Sequence, residues 1–290
     1  MPIQELRIGR PGDLVALPIP LPNVPRTATG QQSVREALRG GITAQRTGVL
    51  RRRWQFKWER LPASDFIVLE QLRRGHRGRG GYVLVDPAAV NMLDDRASSG
   101  GDNPDGAAWT ASSGTVVSST GQAYAGLTSQ LWTHPASAVS GSYVELPWAG
   151  GGFGYPVVPG DPYAFSARVS ATSASFSLRA DLVWFTAAGA SISASSGTAS
   201  APAASLSTWG QRTATGTAPG TAAYVRPRIT ALAAVGSGQV AVDQAQLQWG
   251  STVTATHPGS GVPRVALLEL TDTSTLVGWH DVELTVQEVG

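Results

Sequence analysis

Residues 47–61 read TGVLRRRWQFKWERL, and this stretch decides the fold. Trp54, Phe56 and Trp58 alternate with Arg53, Gln55, Lys57 and Glu59. A strict period of two sends successive side chains to opposite faces, so the spacing predicts a strand with one aromatic, buried face. The next residues change period. Ser64 is placed to cap a helix over 64–74, and Asp65 suits its positive end. Phe66, Leu69 and Leu72 stand at i, i+3 and i+6, which gives the helix one apolar face. Arg73 and Arg74 suit its C-terminal end, and Gly75 is a natural stop. GHRGRGG (75–81) reads as a flexible basic loop, and GYVLVDP (81–87) as a second short strand. The unit is strand, short helix, strand.

Upstream, DLVALPIP (13–20) reads as a short strand, and residues 21–30 as a loop that Pro22 and Pro25 keep from being a central strand. Residues 31–46 carry no assignable pattern. At the far end of the chain, residues 258–262 read as a loop and 265–270 as a strand. Val282, Leu284 and Val286 alternate with Glu283 and Thr285 in another strand. Thirty-three residues, 258–290, are too few for a domain of their own. Charge suggests a partner for them: residues 1–90 hold 15 basic and 7 acidic side chains, whereas 258–290 hold 1 and 5. The expectation is one β-domain formed by residues 1–90 with 258–290, into which 91–257 is inserted.

The inserted stretch is rich in Ala, Ser, Thr and Gly and poor in charge. Aromatic and β-branched runs recur in it between turns: SYVELPW (142–148), YAFSARVS (163–170), SFSLRADLVW (175–184), YVRPRI (224–229) and QVAVDQAQLQW (239–249). Short strands separated by Gly, Pro and Ser turns indicate an antiparallel β-sandwich. The predicted class is therefore mainly β: a β-sandwich-type domain with one short helix, plus an inserted sandwich.

Composition excludes several kinds of chemistry. The chain has 290 residues and no cysteine, so disulfides, thiolate metal sites and cysteine nucleophiles are out. No apolar run approaches the roughly 20 residues of a membrane span. MPIQELRIGRPGDL, at the start, lacks an apolar signal core, so no secretory address is expected. His76, His134, His257 and His280 each stand alone, with no metal-pair spacing. No nucleophile elbow or phosphate loop is present, and carboxylates are sparse. The reading is a protein that is not an enzyme and has no cofactor. The acidic segment DDRASSGGDNPD (94–105) is a candidate for structural calcium but reads first as a solvated turn. Asp243 stands among apolar strand residues and needs a partner: backbone donors, Arg226 or Arg228, or calcium. Trp132, Tyr143, Trp148, Phe153 and Tyr155 cluster around the Gly-rich GGGFG (150–154) and are candidate glycan-binding residues, since Trp and Tyr stack on sugar rings. The competing reading for them is core or subunit contact. The basic opening stretch is read as facing acidic protein surfaces rather than nucleic acid.

Two segments resemble known families. RWQFKWERLPASDFIVLEQLRRGHRGRGGYVLVDP (53–87) resembles the N-terminal domain of minor tail proteins from long-tailed actinobacterial phages, some of which act as distal tail proteins. The shared pattern is aromatic strand, short helix with L-x-x-L, Gly-rich loop and a strand ending in Asp-Pro. Asn91-Met92-Leu93 resembles the start of the module that follows in such proteins. VPGDPYAFS (158–166) and VDQAQL (242–247) resemble jelly-roll carbohydrate-binding modules of phage tails and glycosidases.

The resemblance implies a virion protein of the tail tip, assembled in the bacterial cytoplasm. Copies would form a ring between the tail tube and the host-recognition apparatus, in contact with the tail tube and tail hub. A jelly-roll module would point outward and bind host cell-wall glycan. Head-to-tail contacts close a ring, and Arg51, Arg53, Arg73, Arg74, Arg77 and Arg79 are the candidate interface cations. No membrane insertion and no specific nucleic acid are implied. The alternatives are a stand-alone carbohydrate-binding protein and a tail-borne glycan depolymerase.

Overall fold

The computed structural model describes residues 5–22, 24–36, 42–78, 81–99, 109–135, 140–173, 175–232, 237–273 and 277–289, with side chains undescribed over 28–36, 42–50 and at 99. The chain is mainly β, as its patterning predicts, with antiparallel sheets and two helices among the described residues. Its strands are β1 (Leu6–Arg10), β2 (Asp13–Leu17), β3 (Arg26–Glu36), β4 (Ile42–Pro62), β5 (Tyr82–Val85), β6 (Thr110–Ala111), β7 (Thr115–Ser119), β8 (Ser129–His134) and β9 (Tyr143–Glu145). There follow β10 (Tyr155–Pro156), β11 (Pro162–Ala171), β12 (Leu178–Phe185), β13 (Ser191–Ser196), β14 (Ser205–Thr217), β15 (Tyr224–Ala231), β16 (Gly238–Trp249), β17 (Arg264–Asp272) and β18 (Trp279–Glu288). The helices are α1 (Ala63–Arg73) and α2 (Asp95–Ser99). The chain divides into two compact units, one built mainly from residues 15–85 and 263–290 and the other mainly from 86–262.

The first unit is a seven-stranded sheet in the order β2-β1-β5-β17-β18-β4-β3. Strands from both chain ends alternate in it: β17 pairs with β5, and β18 lies along β4 with Val286 opposite Trp54, Leu284 opposite Phe56 and Val282 opposite Trp58. These six side chains are buried in one core with Leu6, Ile8, Leu69 and Leu72. The segment after β2 reaches β4. The Leu21 N–H donates to the Lys57 carbonyl at 2.7 Å, and the Trp58 indole donates to the Pro18 carbonyl at 2.9 Å. On the β18–β4 ladder, Glu288 takes both the side-chain Nε and the backbone N–H of Arg52, at 3.0 and 3.1 Å, and Glu283 pairs with Lys57 at 2.9 Å.

Two local expectations need correction. Residues 21–30, read as a loop, run into β3 from Arg26; β3 is an edge strand, where Pro25 just outside it removes no ladder hydrogen bond from a central position. Ser64 is not the cap of α1. The helix begins one residue earlier, Pro62 is its N-cap without a side-chain bond, and the Ala63 N–H reaches the Gly278 carbonyl at 3.3 Å instead. The stop is where the sequence puts it. Gly75 has φ +72°, its N–H bonds to Leu72 and the His76 N–H to Gln71, which is a Schellman closure that favours glycine. The Tyr82 hydroxyl then donates to the Leu72 carbonyl at 2.6 Å, and burial pushes its pKa up.

The second unit is a jelly-roll sandwich. One sheet runs β13-β12-β15-β9-β6 with β10 beside β15; the other runs β14-β11-β16-β8-β7. Tyr163 of β11 meets Trp184 of β12 edge-on at 5.9 Å between them, and Phe165, Leu182, Val240 and Leu247 fill the space around. Asn91 locks the entry and exit of this unit onto β16. Its Nδ2 donates to the Ala245 and His257 carbonyls at 3.1 and 3.0 Å, and its Oδ1 accepts from the Leu93 and Leu247 N–H groups at 3.1 and 3.2 Å. Residues 95–99, inside the segment read as a solvated turn, form α2, whose start Asp94 caps by accepting the Ala97 N–H at 2.8 Å. Residues 100–108 lie outside the described residues.

Candidate functional site: the outer faces of the sandwich

The five aromatics singled out by their closeness in sequence separate in space. Trp132 and Tyr155 are fully buried, and Trp148 nearly so. The Trp132 indole donates to the Ser113 carbonyl at 2.8 Å, and that of Trp148 to the Val262 carbonyl at 3.1 Å, so both are core residues with a satisfied N–H. The Tyr155 hydroxyl has no hydrogen-bond partner among the described residues, and burial, with the Asp94 charge second, raises its pKa far above the usual phenol range. Only Tyr143 and Phe153 reach the surface, both over the outer face of the six-stranded sheet.

That face is dominated by satisfied charge. Arg228 faces Glu145 in register, and Glu145 takes Arg226 Nη1 at 2.7 Å and Arg228 Nε at 2.6 Å. Asp181 takes Arg179 Nε at 2.7 Å and the Thr230 hydroxyl at 2.6 Å. The Arg228 guanidinium lies 3.9 Å from the Tyr143 ring centre, and that of Arg226 lies 5.0 Å from Phe185 while donating to the Phe153 carbonyl. Phe153 in turn covers Gly189, where a Cβ would sit 2.3 Å from the ring.

The outer face of the five-stranded sheet is different. Its side chains are polar: Gln211, Thr213 and Thr215 are exposed and Arg168 partly so, whereas Ser166, Gln246 and Gln248 are buried, the two glutamines hydrogen-bonding to residues 252–257. The β7–β8 connection, 120–128, crosses this face, and Asp243 holds it there. The Tyr124 and Ala125 N–H groups donate to Asp243 Oδ2 at 2.7 and 3.0 Å, and the Gln244 N–H to Oδ1 at 2.6 Å. Of the partners the sequence offers Asp243, backbone donors are the ones it has; Arg226 and Arg228 are committed to Glu145. Burial raises the Asp243 pKa, with the three N–H groups acting in the opposite direction. Gln244 at φ +45° marks the irregularity that turns the carboxylate toward the loop.

The loop so held presents Tyr124, 44% exposed, edge-on to Trp209 of β14 at 5.8 Å between ring centres. The Arg168 guanidinium sits 5.0 Å from the Tyr124 ring centre. Glu145 and Asp181 belong to the other face, and among the described residues no carboxylate forms an ion pair with Arg168. Two aromatic rings and a cation thus stand on the sheet face that also carries the exposed Gln211, Thr213 and Thr215 of β14, a combination that suits stacking and hydrogen bonding to a pyranose. Sequence reading missed Tyr124 and Trp209 because 85 positions separate them. The signal that was present is Asp243, an acid in an apolar strand whose partner had to lie elsewhere.

No family model matches the chain, and no curated protein matches it. Solved structures do. The CBM22-1 xylan-binding domain of Paenibacillus barcinonensis Xyn10C is similar at 16% identity and TM-score 0.38, over 52% of this chain and 92% of that one. The C-terminal family 22 carbohydrate binding module of Clostridium thermocellum Xyn10B is similar at 17% and 0.41, over 58% and 99%. The enzymatically active domain of bacteriophage CBA120 tailspike protein 4 is similar at 13% and 0.39, over 56% of this chain and 22% of that one. At such identities and scores, likeness assigns neither ligand nor activity.

The VDQAQL segment, which carries the resemblance to carbohydrate-binding modules, is built of loop anchors. Asp243 holds 124–125, the Gln246 Oε1 accepts the His257 N–H at 2.7 Å, and Gln248, the residue just after the segment, donates to the Thr252 carbonyl at 2.7 Å. Of the candidate interface arginines, Arg73 and Arg74 both pair with Glu70, at 2.9 and 2.7 Å, and Arg77 donates to Gln71. Burial raises the Glu70 pKa, but the two arginines outweigh it and hold the carboxyl below its usual range. Arg51 and Arg53 are exposed on β4, and Arg79 lies outside the described residues.

Proposed function

We propose that this protein is a non-catalytic glycan-binding component of a phage tail tip, whose unit formed from both chain ends assembles with copies of itself into a ring. The observation that carries the glycan reading is the Tyr124–Trp209–Arg168 group, held open on a polar sheet face by the buried Asp243. The non-catalytic part is supported by the carboxylates of the sandwich. Glu145 and Asp181 are committed to arginines, and Asp243 to backbone donors. The ring part is supported by the phage-tail pattern of residues 53–87. A second support lies at the start of β18, in the sheet shared by both chain ends: Trp279 is 48% exposed, and Val277 just before the strand is fully exposed. Weak glycan affinity per copy would be multiplied by a ring through avidity.

Pulldown of the full chain on bacterial cell-wall polysaccharide, against a Tyr124→Ala/Trp209→Ala variant, tests the glycan reading. Retention of the parent and loss in the variant supports it; equal behaviour of the two removes this site. Mass photometry of the full chain and of Trp279→Ser tests the ring. A discrete oligomer that the substitution dissolves supports it, and a monomer at micromolar concentration counts against self-assembly without tail partners.

A further inference from the structure

The arginines on the sheets of this sandwich follow a rule with one exception. Arg179, Arg226 and Arg228 each pair with a carboxylate at 2.6–2.7 Å, and Arg212 is buried with Nε donating to the Leu178 carbonyl at 3.2 Å and Nη2 to the Ser200 carbonyl at 3.1 Å. Among these, Arg168 has an aromatic ring and, within the described residues, no carboxylate as its partner. Its position on β11 is central: Gln211 of β14 faces it on one side and Asp243 of β16 on the other. Asp243 is its nearest acid in register, yet both Asp243 oxygens are taken by backbone N–H groups and the carboxylate is 2% exposed. Arg168 is partly exposed, and among the described residues its guanidinium takes part in no ion pair, which leaves its planar fork of donors for a ligand.

Resting on the glycan reading of this face, we infer that the site selects sugars bearing a carboxylate, a uronic-acid residue of a polysaccharide. The carboxylate lies in the Arg168 fork, the apolar face of the ring stacks on Tyr124 or Trp209, and neighbouring hydroxyls meet Gln211 and Thr213. A neutral ring would use the aromatics and amides but leave the arginine without a counter-charge. A guanidinium–carboxylate contact is bidentate and geometrically selective, which a lysine or a bare positive patch does not reproduce. Tyr124 contributes twice, as a stacking surface and as the ring that holds the guanidinium in place.

Affinity electrophoresis of the full chain tests this with polygalacturonate and the same polymer after chemical reduction of its carboxylates to hydroxymethyl groups. The expected result is retardation by polygalacturonate at about ten-fold lower polymer concentration than by the reduced form. Arg168→Gln should abolish that preference while keeping weak retardation by both, Arg168→Lys should restore little of it, and Tyr124→Ala should lose retardation by either. Equal retardation of the parent by both polymers overturns the carboxylate assignment and leaves glycan binding standing. Retention of the preference in Arg168→Gln overturns it as well, as does equal retardation by a phosphodiester polymer. No retardation by either polymer, with no cell-wall retention, fails the glycan reading itself.

Discussion

The two outer faces of the sandwich hold the same kinds of residue in opposite states. On the six-stranded sheet, Arg226 and Arg228 clasp Glu145, Arg179 clasps Asp181, and Tyr143 and Phe185 pack against the arginine side chains. On the outer face of the five-stranded sheet, Asp243 is buried beneath a loop and Arg168 stands against Tyr124 with its charge unmatched by a carboxylate among the described residues. A satisfied network gains nothing from a ligand, since any newcomer must first displace a partner of equal quality. An arginine with only an aromatic neighbour has coordination to offer. The difference teaches that aromatic density by itself does not mark a binding face, because both faces have it. The state of the charges separates them.

The largest expected effect comes from the anchor beneath the second face. Asp243→Ala removes the acceptor for three N–H groups, two of them at the base of the Tyr124 loop. The expected cost is about 3 kcal/mol in urea or thermal unfolding, accompanied by loss of glycan retention. Unfolding curves beside the pulldown would show whether both move together. On the first face, Glu145→Gln leaves Arg226 and Arg228 with a neutral partner. Both arginines are partly solvated, so the cost should be about 1–2 kcal/mol, and glycan retention should be unchanged. A Glu145 variant that folds but loses retention would erase the distinction between the faces.

Acid titration sharpens the same contrast more gently. Burial raises the Asp243 pKa, so its neutral form is the one the fold favours. Stability from this group is therefore fully present below the usual aspartate range and is lost as pH rises through its folded pKa. The melting temperature of the parent minus that of Asp243→Asn should fall as pH rises through that window. A rise would mean that the N–H donors outweigh burial. The smallest effect lies between the sheets. The Tyr155 hydroxyl is buried without a hydrogen-bond partner among the described residues, so Tyr155→Phe should be neutral or stabilising by up to about 1 kcal/mol, read by thermal unfolding.

Much of the architecture is legible in the sequence. Alternation at 54–58, the L-x-x-L spacing of α1, its glycine stop and the apolar runs of β11, β12, β15 and β16 all follow from local periodicity. Among the elements that escaped notice are polar strands. β13 (SISASS) and β14 (SLSTWGQRTATGT) alternate among small residues, so burial contrast between their faces is faint in the sequence. β3 hides behind prolines because an edge strand tolerates them at its margin.

The site divides along the same line. By itself the sequence determined which residues can stack, which can carry charge, and that Asp243 required a partner. Tertiary structure decided everything that depends on long-range pairing. It turned Trp132 and Tyr155 inward and carried the loop with Tyr124 across three strands to Trp209. It also gave Glu145 two arginines while giving Arg168 none of the described carboxylates. The physical reason is that period-two alternation names a face without saying what will cover it. In a sandwich, coverage is set by strands and loops tens of residues away.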